Sequence, residues 1–311
     1  DKEMDELFSL GIDPPTGNRP SDSESDWPPL SKIVSYNERT RKTLDQLLIT
    51  STMGRSTENE LRNELVFNLA IEHRLMHAET LAYMYHWLPL KAKQTPYSRP
   101  NSLNPDPVEP LQVEIPFGTA TLGMREGNGF GWDNEFDLTL IEVPRFKIDK
   151  YNITNGQFMQ FVQAGCYNDQ SLWSDDAWKW ITQENIRHPR FWDQVGENWV
   201  LLNMFDERPL PPSWPVYVSH AEASAYAKWI RQYLPTEGQF HRAAYGTPSG
   251  LERLFPWGND GPEKKHGNFD FSRWNPTPVG SHPEGNSAFG VSDLLGNGWE
   301  WTSTLFEPFE G

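Results

Sequence analysis

The stretch that decides the fold reads Gly290-Val291-Ser292-Asp293-Leu294-Leu295-Gly296-Asn297-Gly298-Trp299-Glu300-Trp301-Thr302. It combines glycines, which suit tight turns, with tryptophans, which bury large apolar areas. Such a run predicts irregular, loop-rich structure held by aromatic side chains. The residues predicted to be core anchors or to lie in tight turns are Trp257, Trp299 and Trp301, and Gly258, Gly296 and Gly298.

The same composition extends over the C-terminal two thirds of the chain. The whole chain of 311 residues has 14 Trp, 17 Phe and 10 Tyr, with 26 Pro and 23 Gly, which favours a fold of loops packed around aromatic rings. Beyond residue 111, short apolar runs predict strands and two longer runs predict helices, with loop in between. The predicted strands are 111–115, 119–122 and 146–148, and the predicted helices are 155–165 and 220–233.

The N-terminal third predicts helices. Apolar residues recur every three or four positions over 58–88, without glycine or proline until Pro89, and more weakly over 31–48. A short helical start over 4–10 leads into a polar loop that completes residues 1–30. Five prolines between residues 91 and 110 predict a linker. The expected organisation is a helical bundle over 1–92, a linker over 93–110 and a second domain over 111–311.

The phrase Glu72-His73-Arg74-Leu75-Met76-His77-Ala78-Glu79 is the candidate metal site. His73 and His77 are four residues apart, so a helix places both imidazoles on one face, where they can share a divalent metal. Arg74 replaces the general-base Glu of an HExxH zinc protease, which disfavours that class. The spacing alone supports a metal pair and a chance pair equally, and a metal needs a third ligand. His86 is expected to pack, and the remaining histidines to be solvated or hydrogen-bonded.

Charge and cysteine content exclude several classes of partner. A net charge of −16 repels phosphate, so neither nucleic acid nor an anionic membrane is an expected partner. No apolar run approaches the ~18 residues of a membrane span. Cys166, the single cysteine, excludes an intrachain disulfide framework and fits a reducing compartment, so we expect a cytoplasmic location. The chain begins with Asp1, and we expect its natural start to lie upstream.

Three phrases, in order, resemble the formylglycine-generating-enzyme-like domain of the sulfatase-modifying-factor type. The first is Leu234-Pro235-Thr236-Glu237-Gly238-Gln239-Phe240 with Arg242-Ala243-Ala244, and the second is Phe255-Pro256-Trp257-Gly258. The third is the stretch over residues 290–302 quoted above, named the opening stretch from here on. Residues 148–158 match the family's strand-to-helix entry. The resemblance covers 111–311 and implies a variant of the C-type-lectin-like fold, hence an α+β class. The formylglycine-generating enzymes proper use paired cysteines, so that activity is not expected here.

The histidine phrase resembles a DinB-like helical bundle. A DinB-like bundle joined to this second domain resembles the ergothioneine-biosynthesis sulfoxide synthases, whose iron(II) is held by three histidines. The resemblance implies that His73 and His77 are two of them and that the third lies upstream of Asp1. Met76 stands where other members carry a Gln that contacts the substrate imidazole, so we expect different substrate contacts. Further catalytic residues are expected beyond Gly311.

The resemblance implies small-molecule substrates. They are hercynine, a thiol (cysteine or γ-glutamylcysteine) and O2, which yield a carbon–sulfur bond and a sulfoxide. Two alternatives remain: a synthase of the same build using histidine or a selenium donor, and a non-catalytic binding module that has lost iron. Asn297 and Glu300 are candidate ligands of a structural Ca²⁺, as in some members of this fold, with hydrogen bonding to loop backbone as the alternative.

Overall fold

The computed structural model describes residues 2, 4, 27–51, 57–94 and 108–306. The chain divides into two compact units, Asp1–Arg74 and Leu75–Gly311. Most of the predicted helical start, the loop after it and residues 95–107 of the predicted linker lie outside the described residues. The described residues combine α-helices with antiparallel strands, which confirms the α+β class.

Two long helices precede residue 88. Helix α1 spans Leu30–Ser51 and helix α2 spans Thr57–Trp87, close to the predicted bounds. Helix α2 runs for 31 residues without interruption and ends just before Pro89, which cannot continue a helix. The boundary between the two compact units falls within α2, between Arg74 and Leu75. The DinB-like character of this part stays a prediction.

Three small antiparallel sheets build the strand content beyond residue 108. The pairs are β1 (Gln112–Ile115) with β4 (Phe146–Asp149), β2 (Gly118–Leu122) with β3 (Thr139–Val143), and β6 (Asn198–Leu202) between β5 (Trp192–Val195) and β7 (Glu207–Pro209). The three predicted strands correspond to β1, β2 and β4. The prediction of loop over the β5–β7 sheet is wrong, because the outer strands of that sheet are short and largely exposed and show no alternating apolar pattern.

Four shorter helices surround these sheets. They are α3 (Asn155–Gln163), α4 (Asp175–Gln183), α5 (His220–Trp229) and α6 (Glu237–Tyr245). A Ser or Thr caps the N-terminus of each and accepts a hydrogen bond from the third residue of its helix. The sequence predicted loop at α4 and α6, which is wrong, and extended α5 to residue 233. Helix α5 instead ends at Trp229, since Arg231 has a positive φ of 59° and Gln232 N–H bonds back to Ala227 O.

Aromatic rings form the centre of the second unit, as the composition predicts. Phe158 and Phe161 of α3 and Tyr226 of α5 are buried with ring centroids 5.1–5.9 Å apart. Further buried rings around them are Tyr167, Trp173, Trp192 and Trp214. A second apolar cluster joins Ile115 of β1 to the alanines of α6 and to residues of the opening stretch.

The three tryptophans predicted to be core anchors are less buried than expected. Trp257 is half-buried and stacks on Phe255, but Trp299 is 87% exposed and Trp301 is 48% exposed, so that prediction is wrong for the last two. Their indole N–H groups make hydrogen bonds on the surface of the described structure. Gly258 and Gly296 have the positive φ expected of turn glycines, at 153° and 80°. Gly298 does not have a positive φ. The residue before it, Asn297, adopts the left-handed conformation instead, with a φ of 68°.

Candidate functional site

Helix α2 carries the whole histidine phrase on consecutive turns. His73 is half-buried and His77 is exposed. Residues four apart on an α-helix have Cβ atoms about 5–6 Å from each other, which suits two imidazoles that share one metal ion. Met76, the residue before His77, is also exposed. Met76 and His77 are therefore exposed side chains of the described helix.

The donor set for a metal is incomplete among the described residues. In that part of the chain, no three His, Cys, Asp or Glu side chains lie close enough together to hold a metal ion. His73 and His77 fit a divalent metal as two of its ligands. The third histidine, which the resemblance places upstream of Asp1, stays a prediction, and so does the iron site.

Glu79 brings the histidine phrase into contact with the opening stretch. Its carboxylate accepts a hydrogen bond from the indole Nε1–H of Trp299, 220 residues later in the chain. At ~100° per residue, Glu79 lies about 160° around the helix from His77. The face of α2 that touches Trp299 is therefore nearly opposite the face that carries His77.

The last turns of α2 are packed against the β5–β7 region. The His86 ring stacks on Phe191 with centroids 4.0 Å apart, and its Nε2–H donates to Leu202 O at 3.0 Å. Burial, with a smaller contribution from the Lys93 ammonium, lowers the pKa of His86 below its ordinary value. The Arg190 guanidinium lies 3.9 Å from the centroid of the Trp87 ring. The predicted packing role of His86 is confirmed.

A cavity of about 560 Å³ opens beside the opening stretch, lined by parts of β4, α5 and residues 291–301. Glu300 lines it and accepts a hydrogen bond from Asn152 Nδ2 at 2.9 Å. Burial raises the pKa of Glu300 to about 8, with Asp293 adding to the rise, so the carboxyl is largely protonated at neutral pH. Burial also raises the pKa of Asp149 in the same wall.

Asn297, the other candidate calcium ligand, ties two loops together. Its Oδ1 accepts from the Thr277 N–H at 2.7 Å, and its Nδ2 donates to Thr277 O at 3.1 Å. The oxygen and the nitrogen of the amide thus both bond to the backbone of Thr277. Hydrogen bonding to loop backbone is the predicted alternative to calcium binding at this residue. The calcium site at Asn297 and Glu300 stays a prediction.

The remaining histidines have the local contacts expected of non-ligands. Ring nitrogens of four of them lie within hydrogen-bonding distance of a backbone atom, and the fifth lies near a carboxylate. They are His188, His220, His241 and His266, and His282 at 3.9 Å from Asp293 Oδ1. Cys166 is buried, and burial raises the pKa of its thiol.

Comparison with known proteins identifies the second unit. Residues 100–311 match the family model described as the sulfatase-modifying factor enzyme 1-like domain. The chain belongs to this family. Among the helices described, none is both long enough and apolar enough to traverse a lipid bilayer.

Relatives of this sulfatase-modifying-factor chain include two bacterial proteins named hercynine oxygenase. The one from Mycolicibacterium thermoresistibile is 34% identical over 184 residues, 58% of this chain and 41% of its own length. The one from Mycolicibacterium smegmatis is 31% identical, over 79% of this chain and 57% of its own length. Ergothioneine biosynthesis protein 1 of Neurospora crassa is 24% identical over 98% of this chain and 43% of its own length. These names confirm the resemblance drawn from the motifs.

The chain spans about half the length of these relatives. The Mycolicibacterium smegmatis match covers 79% of the chain, whereas residues 100–311 make up about two thirds of it. The similarity therefore reaches into the segment before residue 100. That segment contains the histidine helix.

Proposed function

We propose that this chain belongs to an iron(II)- and oxygen-dependent enzyme of ergothioneine biosynthesis that joins a thiol to the imidazole of hercynine and leaves the sulfur as a sulfoxide. The thiol is cysteine or γ-glutamylcysteine. The observation that carries the proposal is the His73–His77 pair on one unbroken helix, in a chain whose relatives are named hercynine oxygenase and ergothioneine biosynthesis protein 1. This makes it an oxidoreductase with small-molecule substrates.

His73 and His77 would hold the iron. Iron(II) with neutral imidazole ligands and open positions supplies thiolate binding and oxygen activation. Neutral imidazoles suit this task because they leave the metal's positive charge available to an anionic thiolate. The single face of α2 fixes the separation of the two imidazoles before any metal arrives.

Met76 would shape the substrate side of the site. It precedes His77 and is exposed on the described helix. A thioether is a soft, apolar group that packs well but accepts hydrogen bonds poorly. We therefore expect Met76 to contact the apolar part of the imidazole substrate and not to anchor it through a hydrogen bond.

The proposed reaction can be tested by its stoichiometry, the amount of O2 consumed for each sulfoxide formed. One hydrogen leaves the imidazole carbon, one leaves the thiol, and O2 supplies the sulfoxide oxygen and one molecule of water. The purified full-length protein, loaded anaerobically with iron(II), should consume one O2 for each sulfoxide formed, and only with hercynine and thiol both present. Oxygen electrode and mass spectrometry measure the two quantities.

The controls separate the alternatives. His77→Ala should abolish turnover, whereas His220→Ala, which changes an exposed histidine of α5, should keep it. Product with histidine or a selenol in place of the usual substrate would favour a related synthase. Hercynine binding without iron uptake or oxygen consumption would contradict the enzyme and indicate a binding module.

A further inference from the structure

Glu79 lies beside the candidate ligand His77 but has a different partner. Its carboxylate accepts the indole hydrogen bond of Trp299, although Trp299 is otherwise 87% exposed. An exposed indole gains little by burial at this point, so the contact depends on the hydrogen bond itself.

A second contact lies on the same face of α2. His86 follows Glu79 by seven residues, which is two helical turns, so the two side chains project within about 20° of each other. His86 stacks on Phe191 and donates to Leu202 O. Two contacts in line along a helix define its rotation about its own axis, which a single contact does not.

We propose that Glu79 is a positioning residue: its hydrogen bond with Trp299, together with the His86 contact, sets the rotation of the Leu75–Trp87 part of α2 and thereby the direction in which His77 points. The proposal rests on the proposed function for the use of His77. Because Glu79 and His77 lie about 160° apart, this contact holds the helix while leaving the histidine face accessible.

The chain provides a matched control two residues from Trp299. Trp301 is also partly exposed, and its indole N–H donates to Val218 O at 2.9 Å instead of to the helix. Trp299→Phe and Trp301→Phe therefore each remove one indole hydrogen bond from the same stretch. Only the first removes a bond to α2.

Hydrogen exchange tests the contact without any metal. Amides of residues 75–87 should exchange about fivefold faster in Trp299→Phe, as expected for the loss of one hydrogen bond. Glu79→Leu should match this, and the double variant should add nothing. Glu79→Gln keeps an acceptor oxygen and should restore slow exchange. Equal rates in Trp299→Phe and Trp301→Phe, or failure of Glu79→Gln to restore protection, would overturn the proposal.

The ligand-field absorption of the Co(II)-loaded full-length protein tests the positioning. The spectrum should change in Glu79→Leu and Trp299→Phe, return in Glu79→Gln and stay unchanged in Trp301→Phe. Altered exchange with an unaltered spectrum would mean a merely structural contact and would overturn the positioning role. If the native chain binds no Co(II), the metal assignment of the proposed function fails, and the exchange comparison alone then decides whether Glu79 holds the helix.

Discussion

His77 and His86 lie nine residues apart on helix α2 and have opposite surroundings. His77 is exposed, whereas His86 is stacked on Phe191 and bonded to Leu202 O. Burial lowers the pKa of the half-buried His86 ring, since it disfavours the charged form of the imidazole. The same residue type thus supplies an accessible imidazole at one position and a packing element at the other.

The His86 contact should make stability depend on pH. The pKa of His86 lies below its ordinary 6.5 in the folded chain, so the unfolded chain takes up the proton first as the pH falls below about 6.5. Stability is complete above that pH and declines below it, by at most ~1.4 kcal/mol for each unit by which the pKa is lowered. Urea unfolding at pH 7.5 and 5.5 measures the difference.

His86→Gln is the comparison for this prediction. The Gln amide keeps a donor for Leu202 O and does not titrate. The loss of stability between pH 7.5 and 5.5 should therefore be smaller in the variant than in the native chain. An identical loss in both would show that His86 contributes nothing to it.

For single residues, spacing along the sequence predicted local roles, but it did not predict contacts between distant segments. The position of His86 near the end of the predicted helix sufficed to predict packing. The contact of Glu79 with Trp299 joins residues 220 positions apart, and no periodicity in either segment indicates it. Trp299 and Trp301 were expected in the core because tryptophan usually buries its area, yet each has an N–H that makes a surface hydrogen bond.

Short elements depend on close backbone approach more than on side-chain pattern. The turn at Pro283–Gly285 is an example, since Gly285 is buried against the chain at His266. A Cβ added at Gly285 would lie 1.9 Å from His266 O, a backbone atom that cannot swing aside. A Cβ added at Gly261 would have no neighbouring atom within 4 Å.

Gly285→Ala should therefore destabilise the fold and Gly261→Ala should not. Overpacking against backbone costs ~1–3 kcal/mol or more, whereas a change at an open site stays within ~0.5 kcal/mol. Neither glycine has a positive φ, so backbone strain does not separate the two variants. Equal unfolding free energies for the two variants would contradict the close approach at His266.

At the element scale, helices with periodic apolar residues were predictable and short elements were not. Helix α2 has no glycine or proline and is followed by Pro89, and its bounds agree with the prediction to within a residue. Helix α4 was missed although Ser174 and two acidic residues mark its first turn, because only Ile181 of its nine residues is buried. The equally short α3 buries Phe158 and Phe161 and was predicted. The β5–β7 sheet was missed because its outer strands bury almost nothing.

For the whole molecule, the family is shown by comparison with known proteins, whereas the reaction is a proposal. The match over residues 100–311 places the chain in the sulfatase-modifying factor family, but a fold of this kind hosts several activities. This chain has a single cysteine, which is buried, and a histidine pair on helix α2. That it lacks the formylglycine-generating activity stays a prediction. The net charge of −16 keeps nucleic acid an unexpected partner.

The central claim is that His73 and His77 bind iron, and anaerobic titration of the purified full-length protein with iron(II) tests it most directly. We predict one iron per chain, with affinity weakened by well over 100-fold in His73→Ala and His77→Ala, since loss of a ligand exceeds the ~10–100-fold of outer-shell changes. His220→Ala should bind as the native chain does. Unchanged iron stoichiometry and affinity in His77→Ala would contradict the account.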